Sequence, residues 1–274
     1  MSDRQRVYRT HAVVLRRRDH QDADRVLVVF TPGMGKQELM AKGVRKTTSR
    51  KAGHLEIFTH TALMVAHART WDIITEAQTV ESFRHLRQDL DGIGRASYIC
   101  ELVDAFSESS DENQPLWELT LLALRELDQI SQASLGVDPQ VLLRWFELHL
   151  LSLSGFQPQL FTCLGCDREI SPVVNYLSLA EGGIFCPDCG HTQPAVEAIE
   201  PEVLKILRHL QRSPWPEVRR LSVRPPLLRR AENILNRYIL TVLERQLRST
   251  EFLHRLQSMQ VRAPGAPAAN PTAP

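Results

Sequence analysis

Residues 10–36 read THAVVLRRRDHQDADRVLVVFTPGMGK, two β-branched runs on either side of a polar turn that carries three aspartates. Ala12–Leu15 and Val26–Phe30 have the residue types that fit a pleated, buried surface, and Thr31-Pro32-Gly33-Met34-Gly35 closes the second run with turn chemistry. The pair reads as an antiparallel hairpin. Further runs at 39–44, 55–66 and 71–77 bring the expected strands to five in about 70 residues, without a helical period. Five short strands suit a small barrel of the oligonucleotide-binding (OB) kind, and composition alone fits an SH3-like barrel nearly as well.

Beyond Phe83 the period changes. Ala96–Phe106 and Leu116–Ile130 carry apolar residues three and four apart, as amphipathic helices do. Residues 141–153 (VLLRWFELHLLSL) are apolar nearly all round, with Arg144 and Glu147 the only full charges, which predicts the central helix of a bundle, ended by Gly155 and Pro158. After a cysteine-bearing stretch, helical patterning resumes at 202–211 and again from Pro225-Pro226 through Leu256, prolines being suited to a helix start. The expected organisation is therefore α+β and multi-domain. It comprises an OB barrel over 1–80, a helical domain over 81–160 and 195–260, a zinc-ribbon insert over 161–194 and a disordered Pro/Ala tail over 261–274.

The chain has 274 residues, 43% hydrophobic and 24% charged, ordinary values for a folded protein. No apolar run approaches 18 residues and the first ten are polar, so neither membrane insertion nor secretion is expected and the cytoplasm is the default location. A net charge of +1 hides a strong division: residues 1–80 hold 14 Lys/Arg against 8 Asp/Glu, residues 81–200 hold 6 against 19, and residues 201–262 hold 13 against 5. Segregation on this scale points to a polyanionic partner, nucleic acid first. Lys36, Lys42, Arg45, Lys46, Arg50 and Lys51 are interrupted by the single acid Glu38, and Arg16, Arg17 and Arg18 end the adjoining strand. Such a stretch can follow a phosphate backbone, with a log–log salt slope of roughly −3.5 for about five neutralised phosphates on a single strand. With no aromatic residue between Gly33 and Leu55, base stacking would fall to Phe30, Phe58 or Trp71. The alternative is an ordinary solvated loop. A second basic stripe, Arg230, Arg237, Arg248 and Arg255, lies on one side of the final helix, where a solvated face is the simpler explanation.

Cys163-Leu-Gly-Cys166 and Cys186-Pro-Asp-Cys189 form two CxxC knuckles nineteen residues apart, the spacing of a zinc ribbon. Four thiolates would close a tetrahedron and leave no open position, so the Zn2+ is expected to be structural. Gly165 and Gly190 would relax the knuckle backbone, and His191 is an alternative to Cys189. Cys100, alone on an apolar helical face, reads as a small buried side chain. Signals for catalysis are weak: Gly33-Met34-Gly35-Lys36 is not a phosphate loop, and Asp19, Asp22 and Asp24 are more readily turn formers than magnesium ligands. No enzymatic turnover is expected.

In the order of these parts the chain resembles the bacterial RecO family of recombination mediators. The resemblance rests on the 10–36 stretch, AKGVRK (41–46), HLLSLSGFQP (149–158), FTCLGC (161–166) and FCPDC (185–189), and spans residues 7 to about 257. It implies an OB domain followed by a helical domain with a four-cysteine zinc module, and a nucleoid-associated role in DNA repair and recombination after DNA damage. It further implies binding of single- and double-stranded DNA, annealing of complementary strands, and action with RecR to help RecA displace single-strand binding protein. DNA contacts would fall on Lys36, Lys42, Arg45 and Lys46 and on Arg16, Arg17 and Arg18, the zinc ligands being Cys163, Cys166, Cys186 and Cys189. Arg144 would be a speculative anchor for the acidic tail of single-strand binding protein, unless it pairs with a carboxylate of the acidic middle segment. Competing readings are a zinc-ribbon transcription or translation factor and, more remotely, a magnesium nuclease built on Asp19, Asp22 and Asp24.

Overall fold

The hairpin forms as expected. In the computed structural model, which describes residues 7–132 and 136–244 together with Leu247, Ser249 and Leu253, β1 (Val7–His20) pairs antiparallel with β2 (Asp24–Thr31). A bulge between Val14 and Arg16 bends β1, so its first half pairs with β4 (His60–Ala66) and its second half with β2. β3 (Gly35–Ala41) continues the meander, and β5 (Asp72–Glu81) closes the barrel through β4 and a short parallel contact with β3 at Leu39 and Met40. The closed order β1-β2-β3-β5-β4 leaves no free sheet edge and is OB-like.

Two strands are buried on both faces, which explains why AVVL and VLVVF do not alternate with polar residues. Ala12, Val14, Leu27 and Val29 point into the barrel, while Val13, Leu15, Val28 and Phe30 join the core of the helical body. The barrel is thus packed against helices along β1 and β2. The run 55–66 differs from expectation: only His60–Ala66 is strand, preceded by a 3-10 turn at Ala52–His54. Leu55 fills the barrel interior and Phe58, at φ 70°, enters the helical core, so these residues plug rather than extend the sheet.

The body is built from α1 (Leu90–Phe106), α2 (Gln114–Gln132) and α3 (Pro139–Leu153), with Asp89 and Asp138 capping the first and third by accepting backbone N–H groups. α3 is central and almost wholly buried, as its sequence predicts. A four-stranded sheet follows, from β6 (Gln159–Cys163), β7 (Asn175–Ser178), β8 (Gly183–Phe185) and β9 (Val196–Ile199), with the one-turn α4 (Pro187–Gly190) after β8. α5 (Pro201–Arg212), α6 (Trp215–Val218) and α7 (Pro225–Leu243) complete the body. The last helical stretch is interrupted: α7 ends at Leu243, and Ser249 and Leu253 are helical again beyond the break. Glu244 adopts a left-handed conformation, φ 52°, and Ser249 then donates its backbone N–H to Glu101 on α1 at 2.7 Å. Arg248, Arg255 and the tail expected from 261 onward lie outside the described residues. Among the described residues no helix is long and apolar enough to cross a membrane.

Polar contacts fix the barrel to the helices. Asp104 on α1 accepts from Arg16 Nε at 2.8 Å and pairs with Lys36 Nζ at 3.3 Å, while its carbonyl accepts from Lys36 Nζ at 2.5 Å. Beside it, Lys36 N–H donates to Glu108 O and Ser110 N–H to Met34 O, each at 3.0 Å. Gly35, at φ 57°, sits so close that a Cβ would lie 2.5 Å from the carbonyl oxygens of Glu108 and Asp111. Across the barrel, Arg125 on α2 binds Glu81 through two bonds of 2.7 Å.

Arg144 is not a surface anchor. It is 2% exposed and pairs with Glu147 at 2.7 Å and Glu232 at 3.5 Å, while Tyr98 donates to the same Glu147 carboxylate at 2.7 Å. Burial pushes the Glu147 carboxyl up to about 7, with Arg144 and Tyr98 opposing and Glu232 reinforcing the rise.

Two predictions follow from this packing. Gly35→Ala should cost ~2–4 kcal/mol by chemical denaturation, since it adds both left-handed strain and a backbone clash. Gly33→Ala, with nothing within 4 Å of its Cβ, should cost under ~0.5 kcal/mol, and equal costs would refute the docking role of Gly35. Glu147 has a folded-state value above its unfolded 4.5, so its contribution is full below that pH and is lost as pH rises through about 7. Glu147→Gln should therefore remove a fall of up to about 3 kcal/mol from the stability profile between pH 4.5 and 8, whatever its effect on absolute stability. Parallel profiles for the two proteins would contradict this.

Candidate functional site

The nine basic residues of the barrel separate into groups once their neighbours are known. Lys36 and Arg16 are committed to Asp104. Arg17 pairs with Glu56 at 2.5 Å, Arg18 with Glu38 at 3.6 Å and Arg45 with Asp19 at 3.4 Å, and Lys51 donates to the carbonyl of Ile74 at 2.7 Å. Burial draws the Lys51 ammonium below its usual range, with Asp24 opposing. Lys42, Lys46 and Arg50 are exposed, and their side chains have no hydrogen bond or ion pair among the described residues. They stand on the 42–51 segment, which is held against the β1–β2 turn: Asp24 accepts the Gly43 N–H at 2.7 Å and Ala23 O accepts the Arg45 N–H at 2.9 Å. The segment is therefore a positioned loop with outward cations.

Of the three aromatic residues considered for stacking, two are ruled out. Phe30 and Phe58 are 0% and 2% exposed and belong to the helical core. Trp71 remains partly exposed, with the Arg18 guanidinium 5.4 Å from its ring centroid, His20 edge-on at 5.3 Å, and its Nε1 donating to Glu38 at 3.2 Å. Its loop is shaped by Asp72, which accepts from Ala68 N–H at 3.0 Å, His67 at 2.9 Å and Tyr8 OH at 3.3 Å. Burial, then the neighbouring Asp72, raises the Tyr8 phenol to about 12. The same loop carries Arg69, exposed and without a side-chain partner among the described residues. Arg69 was not among the candidates, and its only signal is a lone cation next to Trp71.

The four cysteines converge. Their sulfur atoms all lie within 4.8 Å of one another, with Cys166 and Cys186 at 3.9 Å. A tetrahedral thiolate site with metal–sulfur bonds of 2.3 Å has edges of about 3.8 Å, so the donor set fits such an ion. Cys163 Sγ accepts N–H bonds from Gly165 at 3.4 Å and Cys186 at 3.3 Å, and Arg168 donates to Cys166 Sγ at 3.3 Å. The Arg168 bond pulls the Cys166 thiol down to about 6. These donors favour the thiolates that a metal needs. Gly165 and Gly190 serve by close approach rather than by a relaxed backbone: a Cβ would meet Cys189 at 3.1 Å in the first case and the Tyr176 ring at 2.4 Å in the second. His191 hydrogen-bonds Tyr176 at 3.0 Å and is not in the cluster.

The remaining candidates are structural. Asp19 pairs with Arg25 and Arg45 and Asp24 holds Gly43, and no metal-capable carboxylate group occurs among the described residues. Arg230 pairs with Glu200 at 3.7 Å and Arg237 with Glu197, so the described half of the basic stripe is an ion-paired seam. Cys100 is buried, and burial pushes its thiol up to about 12.

The chain matches two family models, the N-terminal region of recombination protein O over residues 1–83 and its C-terminal region over residues 87–251. A protein of Roseiflexus sp. described as DNA repair protein RecO is 39% identical over 256 residues, covering 93% of this chain and 88% of that protein. Proteins with the same description from Dehalococcoides mccartyi and Desulforamulus reducens are 35% and 34% identical, each over more than nine-tenths of both sequences. Taken with the barrel, the helical body and the four-cysteine cluster, these matches show that the chain belongs to the RecO family of DNA repair proteins.

Proposed function

We propose that this chain is a DNA-binding recombination mediator without catalytic turnover, acting at the nucleoid in the cytoplasm. It holds single- and double-stranded DNA by the phosphates, anneals complementary strands and, with RecR, helps RecA load onto DNA covered by single-strand binding protein. The observation that carries this reading is the loop bearing Lys42, Lys46 and Arg50, whose cations have no carboxylate partner and which Asp24 anchors to the barrel. Two strands repel through their phosphates, and a surface that neutralises them lowers the barrier to pairing without reading any base. Arg45, Arg18 and Trp71 extend the surface, the last as a stacking platform. Lys36 and Arg16 contribute less, being occupied by Asp104.

The metal of the cysteine cluster is Zn2+ in a structural role. Cys163, Cys166, Cys186 and Cys189 would hold it, and with four thiolates it supplies cross-linking and no open position for chemistry.

In an ATP-free annealing assay at low salt, Lys42→Glu, Lys46→Glu should slow pairing at least tenfold and make the single-strand log–log salt slope shallower by about 1.4, two phosphate contacts' worth. Wild-type rates in this variant, shown to be folded, would remove the site. Cys166→Ser should lose the single zinc equivalent and lower the melting temperature while leaving single-strand affinity within about twofold. Retained zinc, or lost affinity with the fold intact, would contradict a structural role.

A further inference from the structure

α5 buries Val203, Leu204, Leu207 and Leu210 against the rest of the helical body, packing on α3, α7 and β6. Its other side carries Lys205, Arg208, His209 and Arg212, three and four residues apart and so on one helix face. Phe161 of β6 lies beneath this face, with the Arg212 guanidinium 3.3 Å from its ring centroid and that of Arg208 at 5.2 Å. Two guanidinium groups share one aromatic ring. Arg208 is fixed by carbonyls rather than carboxylates, donating Nε to Leu160 O at 2.8 Å and Nη2 to Ile170 O at 3.3 Å. Arg212 and Lys205 are exposed and have no hydrogen bond or ion pair among the described residues. Burial and then the Arg212 charge draw Arg208 below the usual guanidinium range, with Glu169 opposing, and Glu202 is the one acid in the first turn of α5.

Two guanidinium groups on one ring concentrate positive charge on this face, with no carboxylate paired to either among the described residues. The ring holds Arg212 by its π face and the carbonyls hold Arg208 through Nε and Nη2, so the donors left for phosphate are chiefly those of Arg212 and Lys205. From Lys205 to Arg212 the helix advances about 10 Å. That length lets the face contact more than one phosphate of a strand. We propose that this face of α5, together with Phe161 at the edge of the cysteine-bearing sheet, is a second phosphate-binding surface that takes the second DNA strand during pairing. The proposal rests on the annealing reading and adds to it a division of labour: the barrel loop carries one strand and α5 the other. An acidic peptide is the less suitable occupant, because Arg212 already covers the Phe161 ring that an apolar side chain of such a peptide would need. The inserted sheet then has a purpose in binding, since β6 supplies Phe161 and Leu160 O, and Ile170, bonded to Phe161 O at 2.9 Å, supplies the other carbonyl.

The test uses two non-complementary labelled oligonucleotides and full-length protein, reading capture of the second strand by energy transfer after the first is bound, alongside annealing of a complementary pair. Lys205→Glu, Arg212→Glu alters two exposed side chains, and its fold is checked by melting temperature and zinc content. It should bind the first oligonucleotide within about twofold of wild type, capture the second at least fivefold less well and anneal at least fivefold more slowly. Lys205→Ala, Arg212→Ala should show the same pattern at smaller amplitude. Wild-type capture and annealing in both α5 variants, with the Lys42→Glu, Lys46→Glu protein impaired, would overturn the second surface and leave the barrel site standing. Wild-type annealing in all three would overturn the barrel reading itself. Loss of polyglutamate binding with undiminished capture of the second oligonucleotide would assign the face to an acidic peptide and also overturn the proposal.

Discussion

Burial on both faces of Ala12–Leu15 in β1 and of β2 is the constraint from which the rest of the molecule follows. A barrel strand needs one apolar face, yet Val28 and Phe30 are as buried as Leu27 and Val29. The second face is satisfied by the helical body, and a buried Phe alone contributes roughly 1.5–3 kcal/mol of transfer energy. The barrel is therefore seated on α1, and Gly35 permits the closest approach of the two backbones. Seating also redistributes charge. Asp104, from the acidic middle of the chain, meets Arg16 and Lys36 as the barrel docks, so two cations that look available along the sequence serve cohesion.

What remains outward and, among the described residues, without a carboxylate is a shorter set: Lys42, Lys46 and Arg50 on an anchored loop and Arg69 beside Trp71, whereas Arg18, over the Trp71 ring, pairs with Glu38. Exposed cations without carboxylates interact weakly with anything but a polyanion, which suits the proposed contact with DNA phosphates. The cysteine cluster works at a distance from that loop. It joins the β6 and β8 ends of a small sheet that interrupts the helices, and its thiolates are stabilised by backbone N–H groups and Arg168.

Much of this was legible in the residues, and the failures share a cause. The β-branched runs, the helical periods, the buried α3 and the paired CxxC motifs are local patterns, and each appears where its pattern places it. Phe58 and Lys36 could not be read that way, because their environments come from partners far along the chain. Phe58 looks like a strand aromatic until the helical core covers it, and Lys36 like a free cation until Asp104 arrives 68 residues later, whereas Arg144 takes the carboxylate pairing that its acidic surroundings offered, with Glu147 one turn on and Glu232 beyond. The end of the last helix is a similar case: its periodicity continues and Ser249 and Leu253 are helical, but a left-handed turn at Glu244 breaks the helix before Ser249 meets Glu101.

The central claim is that docking divides the early cations into those that hold the barrel and those that hold DNA. Acetylation of lysines by an amine-reactive ester, read by mass spectrometry with and without a single-stranded oligonucleotide, tests it residue by residue. Lys42 and Lys46 should react readily in the free protein and become protected on binding, while Lys36 and Lys51 should react slowly in both conditions. Protection of Lys36 by DNA, or equal reactivity of Lys42 and Lys46 with and without it, would contradict the account.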